Sequence, residues 1–399
     1  MRTTMRYILL LALLVLWACS KDEEPCYPHS PRVVVAYMAG DNNLSGYGWA
    51  NLDAMRQGMA SAPAGSRMIA YLDTPGENPC LMEVTASGTN VLHTWSGPHN
   101  SASVATVREV LSLVRRLAPA DRYGLVLWSH GLAWMPSWAT GYLTRSKGRM
   151  AEPWPPTKWF GQDTGENPAG YLETADLAEA IPAGMFDWIL FDACFMGSAE
   201  VLYALRDKTP WVVCSPAEVI ADGFPYEKIT AELLKASPDL RSVCETYYRH
   251  YAENPRPEYR SATVSLVGTA ELEALAAATA SVFEAALTAD PEALADMDLD
   301  RLQPLDRYRR HFLFDAGSVT GELEARGLVP ASLADTWRAQ LARTVVYEAH
   351  TPQMLGLALT ECCGLSMYVP VKAYADLNGY YKTLGWWSRC YPAEHAVGR

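Results

Sequence analysis

Two residues of this 399-residue chain pair reactive side chains with positions at the ends of apolar runs. Cys194 directly follows DWILFDA, and His130 directly follows YGLVLWS and is itself followed by Gly131. A thiol attacks only as its thiolate, and its ordinary pKa of about 8.5 falls beside an imidazole or a helix N-terminus. Cys194 gains both influences if His130 ends the adjacent strand and if a helix starts near Gly197 behind the thiol. The backbone N–H groups of Gly131 and Cys194 then aim at one point, which is how an oxyanion is held. Thiolate, proton acceptor and oxyanion donors together describe acyl transfer through a thioester. Taken singly, a cysteine after an apolar strand is a small hydrophobe and a histidine before glycine is a turn residue, so the reading rests on their joint placement. A serine nucleophile finds no support, because the chain has no GxSxG elbow.

The elements that must position these groups are legible from Pro31 onward. Short β-branched or apolar runs alternate with amphipathic segments, the pattern of a mostly parallel sheet covered by helices, an α/β fold. Strands are expected at 32–38, 67–73, 123–129, 187–193, 211–215, 261–267 and 365–370. VVVAYM and WILFDA are apolar at both parities, as strands buried on both faces are. A hairpin is expected over 80–95 through Ser87-Gly88-Thr89. Helical patterns occupy 46–60, 102–118, 173–181, 197–206, 226–236, 239–252, 269–288 and 332–349, with Thr269 placed as an N-cap. Residues 132–170 have no clean period, and irregular stretches of that length inside a domain are usually functional or disordered. In open parallel sheets, ligands gather outside the carboxyl ends of the strands, where His130 and Cys194 both fall.

LVLWSHG and DWILFDACFMG, with VVVAYMAGDNNLSGY near the start and CGLSMYVP near the end, resemble the clostripain family of cysteine peptidases, relatives of caspases, gingipains and legumains. The resemblance runs in order from about Val33 to Trp387. It implies a caspase-like α/β/α sandwich with a mostly parallel central sheet, a Cys194–His130 dyad and hydrolysis of peptide bonds. Where relatives usually carry a run of glycines after the histidine, this chain has Leu132 and Ala133, while Gly131 is kept.

Relatives cleave after Arg or Lys using carboxylates at the floor of the pocket. Asp192 lies two residues before Cys194, so strand parity puts both on one face, and a carboxylate there would meet a basic side chain in a charge-assisted contact. Asp222 is the expected second wall, with Glu218 as its alternative. In relatives the loop after the histidine can be cut by the enzyme itself. Here the 135–160 loop carries Arg145, Lys147 and Arg149, of which Lys147 is the first choice as processing site. A competing reading keeps the dyad but closes access to it, leaving a catalytically silent surface binding protein on a peptidase fold.

The first residues show Arg2 and Arg6, an apolar run from Tyr7 to Trp17 and small Ala18 before Cys19, the plan of a secretory signal over 1–18. Leu16 to Cys19 resemble a bacterial lipobox, with Cys19 as the lipidated residue and 19–30 as an acidic tether. The peptidase domain then spans 31–399, with a helical C-terminal part. The expected location is the outer membrane or surface of a Gram-negative bacterium, held by the lipid anchor alone. The net charge of −12 works against phosphate-backbone binding, so the expected partner is a peptide or protein and not nucleic acid. Eight cysteines besides Cys19 are compatible with disulfides in an exported protein, and no metal site or required cofactor is read from the spacing. Calcium, which some relatives need, stays open as a ligand, although the chain carries no EF-hand pattern.

Overall fold

A computed structural model of the chain describes residues 27–97, 99–142, 154–157, 162–163 and 170–391. The proposed signal and lipidation site at Cys19, and the basic residues Arg145, Lys147 and Arg149, lie outside the described residues. A nine-stranded sheet forms the middle layer: β1 Val33–Ala39, β2 Arg67–Asp73, β3 Cys80–Thr85, β4 Gly88–Thr94, β5 Tyr123–Trp128, β6 Phe186–Asp192, β7 Trp211–Cys214, β8 Thr263–Gly268 and β9 Val345–His350. Their spatial order is β9-β8-β7-β6-β5-β1-β2-β3-β4. The five central strands, β2 to β7 across β1, β5 and β6, are parallel; β3–β4 and β8–β9 extend the two edges antiparallel.

The helices are α1 Ser45–Gly58, α2 Val104–Leu117, α3 Thr174–Ala180, α4 Ala199–Ala204, α5 Tyr226–Leu233, α6 Leu240–Ala252, α7 Leu272–Ala289, α8 Ala316–Ala325, α9 Ala331–Thr344, α10 Ala375–Tyr381 and α11 Gly385–Cys390. Because side chains alternate along a strand, β1 sends Val33, Val35 and Tyr37 to one face and Val34, Ala36 and Met38 to the other. The first face packs on α2, α4, α7 and the C-terminal helices, the second on α1, α5 and α6. Helix α7, extended by one 3₁₀ turn, is long and apolar enough to cross a membrane, yet it buries Leu272, Leu275, Val282 and Phe283 in the first face as a core helix does.

The expected strands and helices are found within a few residues, with three exceptions. The pattern read as one helix over 332–349 ends at Thr344, where Val345, Val346 and Tyr347 turn into the antiparallel edge strand β9 beside β8. β-branched and aromatic residues fit a pleated edge better than a last helical turn. Within the run at 365–370, Ser366–Met367 pairs with Phe314–Asp315 and Ser366 also bridges Ser198, and the run does not join the main sheet. Thr269 does not cap α7: it opens a 3₁₀ turn and its hydroxyl donates to the Thr209 carbonyl. Helices α8, α10 and α11 were not expected as helices. The aromatic tail closes the structure as a packing element, with Tyr381 against Trp134 at 4.8 Å and Trp387 stacked on Tyr391 at 3.7 Å between ring centroids.

Glu200, in the first turn of α4, is buried in that packing and accepts from the Tyr368 N–H at 3.0 Å and the Tyr381 hydroxyl at 2.9 Å. Burial outweighs these bonds and pushes its carboxyl up to about 7. The folded chain therefore keeps a proton that the unfolded chain releases above about pH 4.3. The resulting stabilisation is complete at low pH and is lost as pH rises through about 7, a swing on the order of 3 kcal/mol. Glu200→Gln should flatten the decline in unfolding free energy between about pH 4.5 and 7; denaturant titrations across that range check it, and an unchanged slope would show that Glu200 is not its source.

Candidate active site

Three loops meet at the carboxyl ends of β1, β5 and β6. Sequence order runs outward in both directions from β1 and β5, so the crevice between them is a topological switch point. The turn after β1 is held by its own polar groups: the Asn42 side chain donates to the Ala39 carbonyl at 3.1 Å and accepts the Leu44 N–H at 2.9 Å. The Ser129 hydroxyl, at the end of β5, donates to the same Ala39 carbonyl at 2.8 Å and ties the two strand ends together. This turn presents Asn43, whose Oδ1 lies 2.7 Å from Nε2 of His130. Sequence reasoning missed Asn43; a polar residue just after a buried strand was the available signal.

His130 and Cys194 occupy equivalent places. Trp128 is in register with Asp192 across β5 and β6, and each reactive residue follows two positions later. Gly131 brings the two loops into backbone contact: a Cβ built on it would fall 1.9 Å from the Cys194 carbonyl oxygen and 2.8 Å from the Cys194 nitrogen. Only glycine fits there, which accounts for its retention where the next two positions are Leu132 and Ala133. Both of these are buried, and Ala133 adopts a left-handed φ of 54°.

The loop carrying Cys194 is an irregular turn over 193–197. Phe195 has φ of 64°, a conformation that costs a bulky residue on the order of 1–3 kcal/mol and persists only where neighbours enforce it. The enforcing contacts come from the loop after β7: the Phe195 N–H donates to the Ala217 carbonyl and the Gly197 N–H to the Ser215 carbonyl, both at 2.8 Å. Val219 grips the thiol itself, its N–H 3.1 Å from Sγ and its carbonyl accepting from Sγ at 3.6 Å. Cys194 is wholly buried and His130 is 3% exposed. The mouth expected around the thiol is therefore closed in this conformation. The expected helix influence is also reduced, because α4 is six residues long and begins at Ala199 behind its Ser198 cap.

The three carboxylates separate. Asp192, the last residue of β6, keeps the parity of Trp188 and Leu190 and faces α5 and α6, accepting from the Tyr226 hydroxyl at 2.9 Å and the Phe224 N–H at 3.3 Å, whereas Cys194 lies past the strand end, where the period-two argument stops applying, and joins the opposite core. Burial, with Asp192 nearby, holds the phenols of Tyr226, Tyr247 and Tyr251 well above their usual range. Tyr251 feels Asp222 as well, so both aspartates border one tyrosine cluster, and Asp222 is exposed. Glu218 is excluded as a pocket wall, since it is buried in a two-bond ion pair with Arg307 at 2.7 and 3.1 Å. Arg307 also donates to the Leu355 carbonyl at 3.3 Å. The pair anchors the residue next to Val219, and losing one partner of such a buried pair typically costs about 3–5 kcal/mol. Nδ1 of His311 lies 3.0 Å from the carboxylate of buried Asp306. Among the described residues none of the seven cysteines is in a disulfide.

Gly131→Ala should destabilise the fold by about 1–3 kcal/mol and displace the Cys194 backbone. Thermal unfolding, combined with the rate at which a small alkylating agent labels Cys194 in folded protein, would register both; an unchanged melting temperature with unchanged labelling would contradict the contact.

The model of the clostripain family matches residues 36–320, from β1 into α8. No curated protein matches the chain. Among solved structures, an inactive zymogen of a C11 protease from Parabacteroides distasonis is 30% identical, over 92% of this chain and 100% of that one, with a TM-score of 0.76. A secreted C11 cysteine protease from Bacteroides thetaiotaomicron, in complex with an irreversible peptide inhibitor, is 26% identical over 92% and 100% of the two chains, with a TM-score of 0.74. A further structure of a secreted C11 cysteine protease from that organism shares the fold at 22% identity, over 91% and 100%, with a TM-score of 0.73. The chain belongs to the clostripain family and is a cysteine peptidase with that family's α/β/α architecture.

Proposed function

We propose that this peptidase is a latent endopeptidase in which Cys194 is the nucleophile and His130 the general base, with specificity for Arg or Lys before the scissile bond. The observation that carries the dyad is the Gly131–Cys194 backbone contact between loops that leave neighbouring strands in register. His130 takes the thiol proton and the thiolate attacks the scissile carbonyl. The N–H groups of Gly131 and Cys194 receive the resulting oxyanion. Collapse expels the amine with a proton from His130 and leaves a thioester, which water hydrolyses with His130 again as base. None of these steps uses a cofactor or calcium. Asn43 acts as a positioning residue: its amide oxygen accepts from Nε2 and fixes the ring and its tautomer.

Latency follows from the Val219 grip on Sγ and the burial of both reactive residues. Cleavage in the 135–160 loop, at Lys147 or at Arg145 or Arg149, is the proposed release. Pro156 and Thr157 lie along the 219–221 segment, with the Ala221 N–H donating to the Pro156 carbonyl at 2.8 Å. A cut upstream would thus loosen the strip that covers the thiol. Asp192 and Asp222 are the proposed acidic walls for the basic substrate side chain, because both border the cluster around Tyr251. Export through the N-terminal signal and anchoring at Cys19 would put the enzyme on the bacterial surface.

Purified protein, intact and after limited trimming, is incubated with fluorogenic Arg-, Lys- and Leu-amide peptides. Trimmed wild type should turn over the Arg and Lys peptides at least about 100-fold faster than the Leu peptide, given a buried carboxylate left to pair with the wrong side chain. Cys194→Ala should stay a single chain under conditions where wild type splits in two. Turnover surviving in Cys194→Ala rejects the dyad, and silence toward every peptide after trimming favours the binding protein instead. In the same assay Asn43→Ala should lower kcat about 10- to 100-fold with little change in KM. Asn43→Asp should shift the acid limb of the rate profile upward, since a carboxylate raises the imidazole pKa; identical profiles would remove Asn43 from the site.

A further inference from the structure

At the opposite edge of the sheet from the β3–β4 hairpin, three metal-ligating side chains of different kinds converge. Glu348 and His350 lie two apart on β9 and so share a face of that strand. Cys362 comes from the loop that returns beneath it. Gly364, at φ of 87°, lets that loop approach: a Cβ on it would sit 2.8 Å from the Ser265 hydroxyl and 3.0 Å from Cβ of Glu348. One donor atom from each of Glu348, His350 and Cys362 falls within 4.8 Å of the others.

We propose that Glu348, His350 and Cys362 form a site for a divalent borderline cation, Zn²⁺ above all. A tetrahedral zinc with thiolate, imidazole and carboxylate ligands needs its donors about 3.3–3.6 Å apart, a closure that side-chain rotation supplies. Thiolate and imidazole select against Ca²⁺ and Mg²⁺, which take oxygen ligands. Glu348 and His350 are partly exposed, which leaves a path for the ion and a fourth position for water. Binding deprotonates Cys362 and releases that proton to solvent.

The neighbouring groups are committed elsewhere, which singles out this trio. Cys363 Sγ accepts the Gly317 N–H at 3.3 Å and donates to the Leu365 carbonyl at 3.4 Å. Asp315 accepts from the Cys363 N–H at 2.6 Å and the Ser318 N–H at 2.9 Å. The imidazole and carboxylate already meet, with Nδ1 of His350 3.1 Å from Glu348, so a bound ion replaces that contact. The ligand loop also runs directly into Ser366, whose N–H donates to the Gly197 carbonyl at 3.0 Å, so an ion at Cys362 would brace a strand of chain that supports the nucleophile turn.

The test uses the full mature chain carrying Cys194→Ala, which removes self-cleavage and the other reactive thiol. Metal-free protein is titrated with Co²⁺ while thiolate-to-cobalt charge-transfer absorption is followed, and Zn²⁺ is then added to displace it. The expected result is a saturating band at one ion per chain that Zn²⁺ bleaches. Cys362→Ser should abolish it, His350→Gln should weaken binding by about 10-fold or more, and Cys363→Ser should leave it intact. Far-ultraviolet circular dichroism confirms that each variant is folded, and partly exposed His350 gives a readout even if Cys362→Ser fails to fold. Absence of the band in folded parent protein, or a band indifferent to Cys362→Ser and His350→Gln, overturns the assignment.

Discussion

The structure turns on a backbone contact that admits no side chain: Gly131 against the main chain of Cys194. Parallel pairing of β5 and β6 puts the two loops side by side, but pairing alone leaves the strand ends a full inter-strand spacing apart. The missing Cβ closes that gap, and the Cys194 peptide then abuts the peptide after His130. Oxyanion donors need this proximity, since their N–H groups act only when they aim at one small volume.

Holding such a turn has a cost, visible at Phe195 with its left-handed backbone. The loop after β7 offsets it through three successive attachments, from Ser215, Ala217 and Val219. That loop is itself fixed from outside by the Glu218–Arg307 pair, so a buried charge pair that adds little net stability instead specifies where Val219 sits. The same contacts that enforce the turn occupy the thiol. The order of the turn and the burial of the thiol thus have one structural origin.

Charge is arranged by depth. Asp192 and Glu218 are both buried beside the site, yet one faces phenols and a backbone N–H while the other is neutralised by arginine. Only an arrangement of the first kind leaves a carboxylate able to exchange neutral donors for a cation, whereas displacing a two-bond guanidinium would require another cation to do no more than break even. The lone exposed carboxylate of the three, Asp222, lies on the same tyrosine cluster as Asp192.

The sequence by itself determined the layered fold, because both-parity apolar runs such as VVVAYM and WILFDA can only be strands buried on two faces. It determined the ends at which His130 and Cys194 appear, since strands buried on both faces must stop where polar groups begin. Periodicity could not place Val345–His350, where a helix passes into a strand with no intervening turn residue, nor the short helices α8, α10 and α11, whose length carries too little repeat. Parity failed between Asp192 and Cys194 for a local reason: alternation holds only while the chain is extended, and β6 ends at Asp192. Tertiary structure alone decided the partners: Asn43 for His130, Val219 for Cys194, Arg307 for Glu218 and Cys362 for the β9 pair. Such contacts join residues 12 to 89 positions apart, and spacing along a chain holds no record of which loops a sheet will bring together.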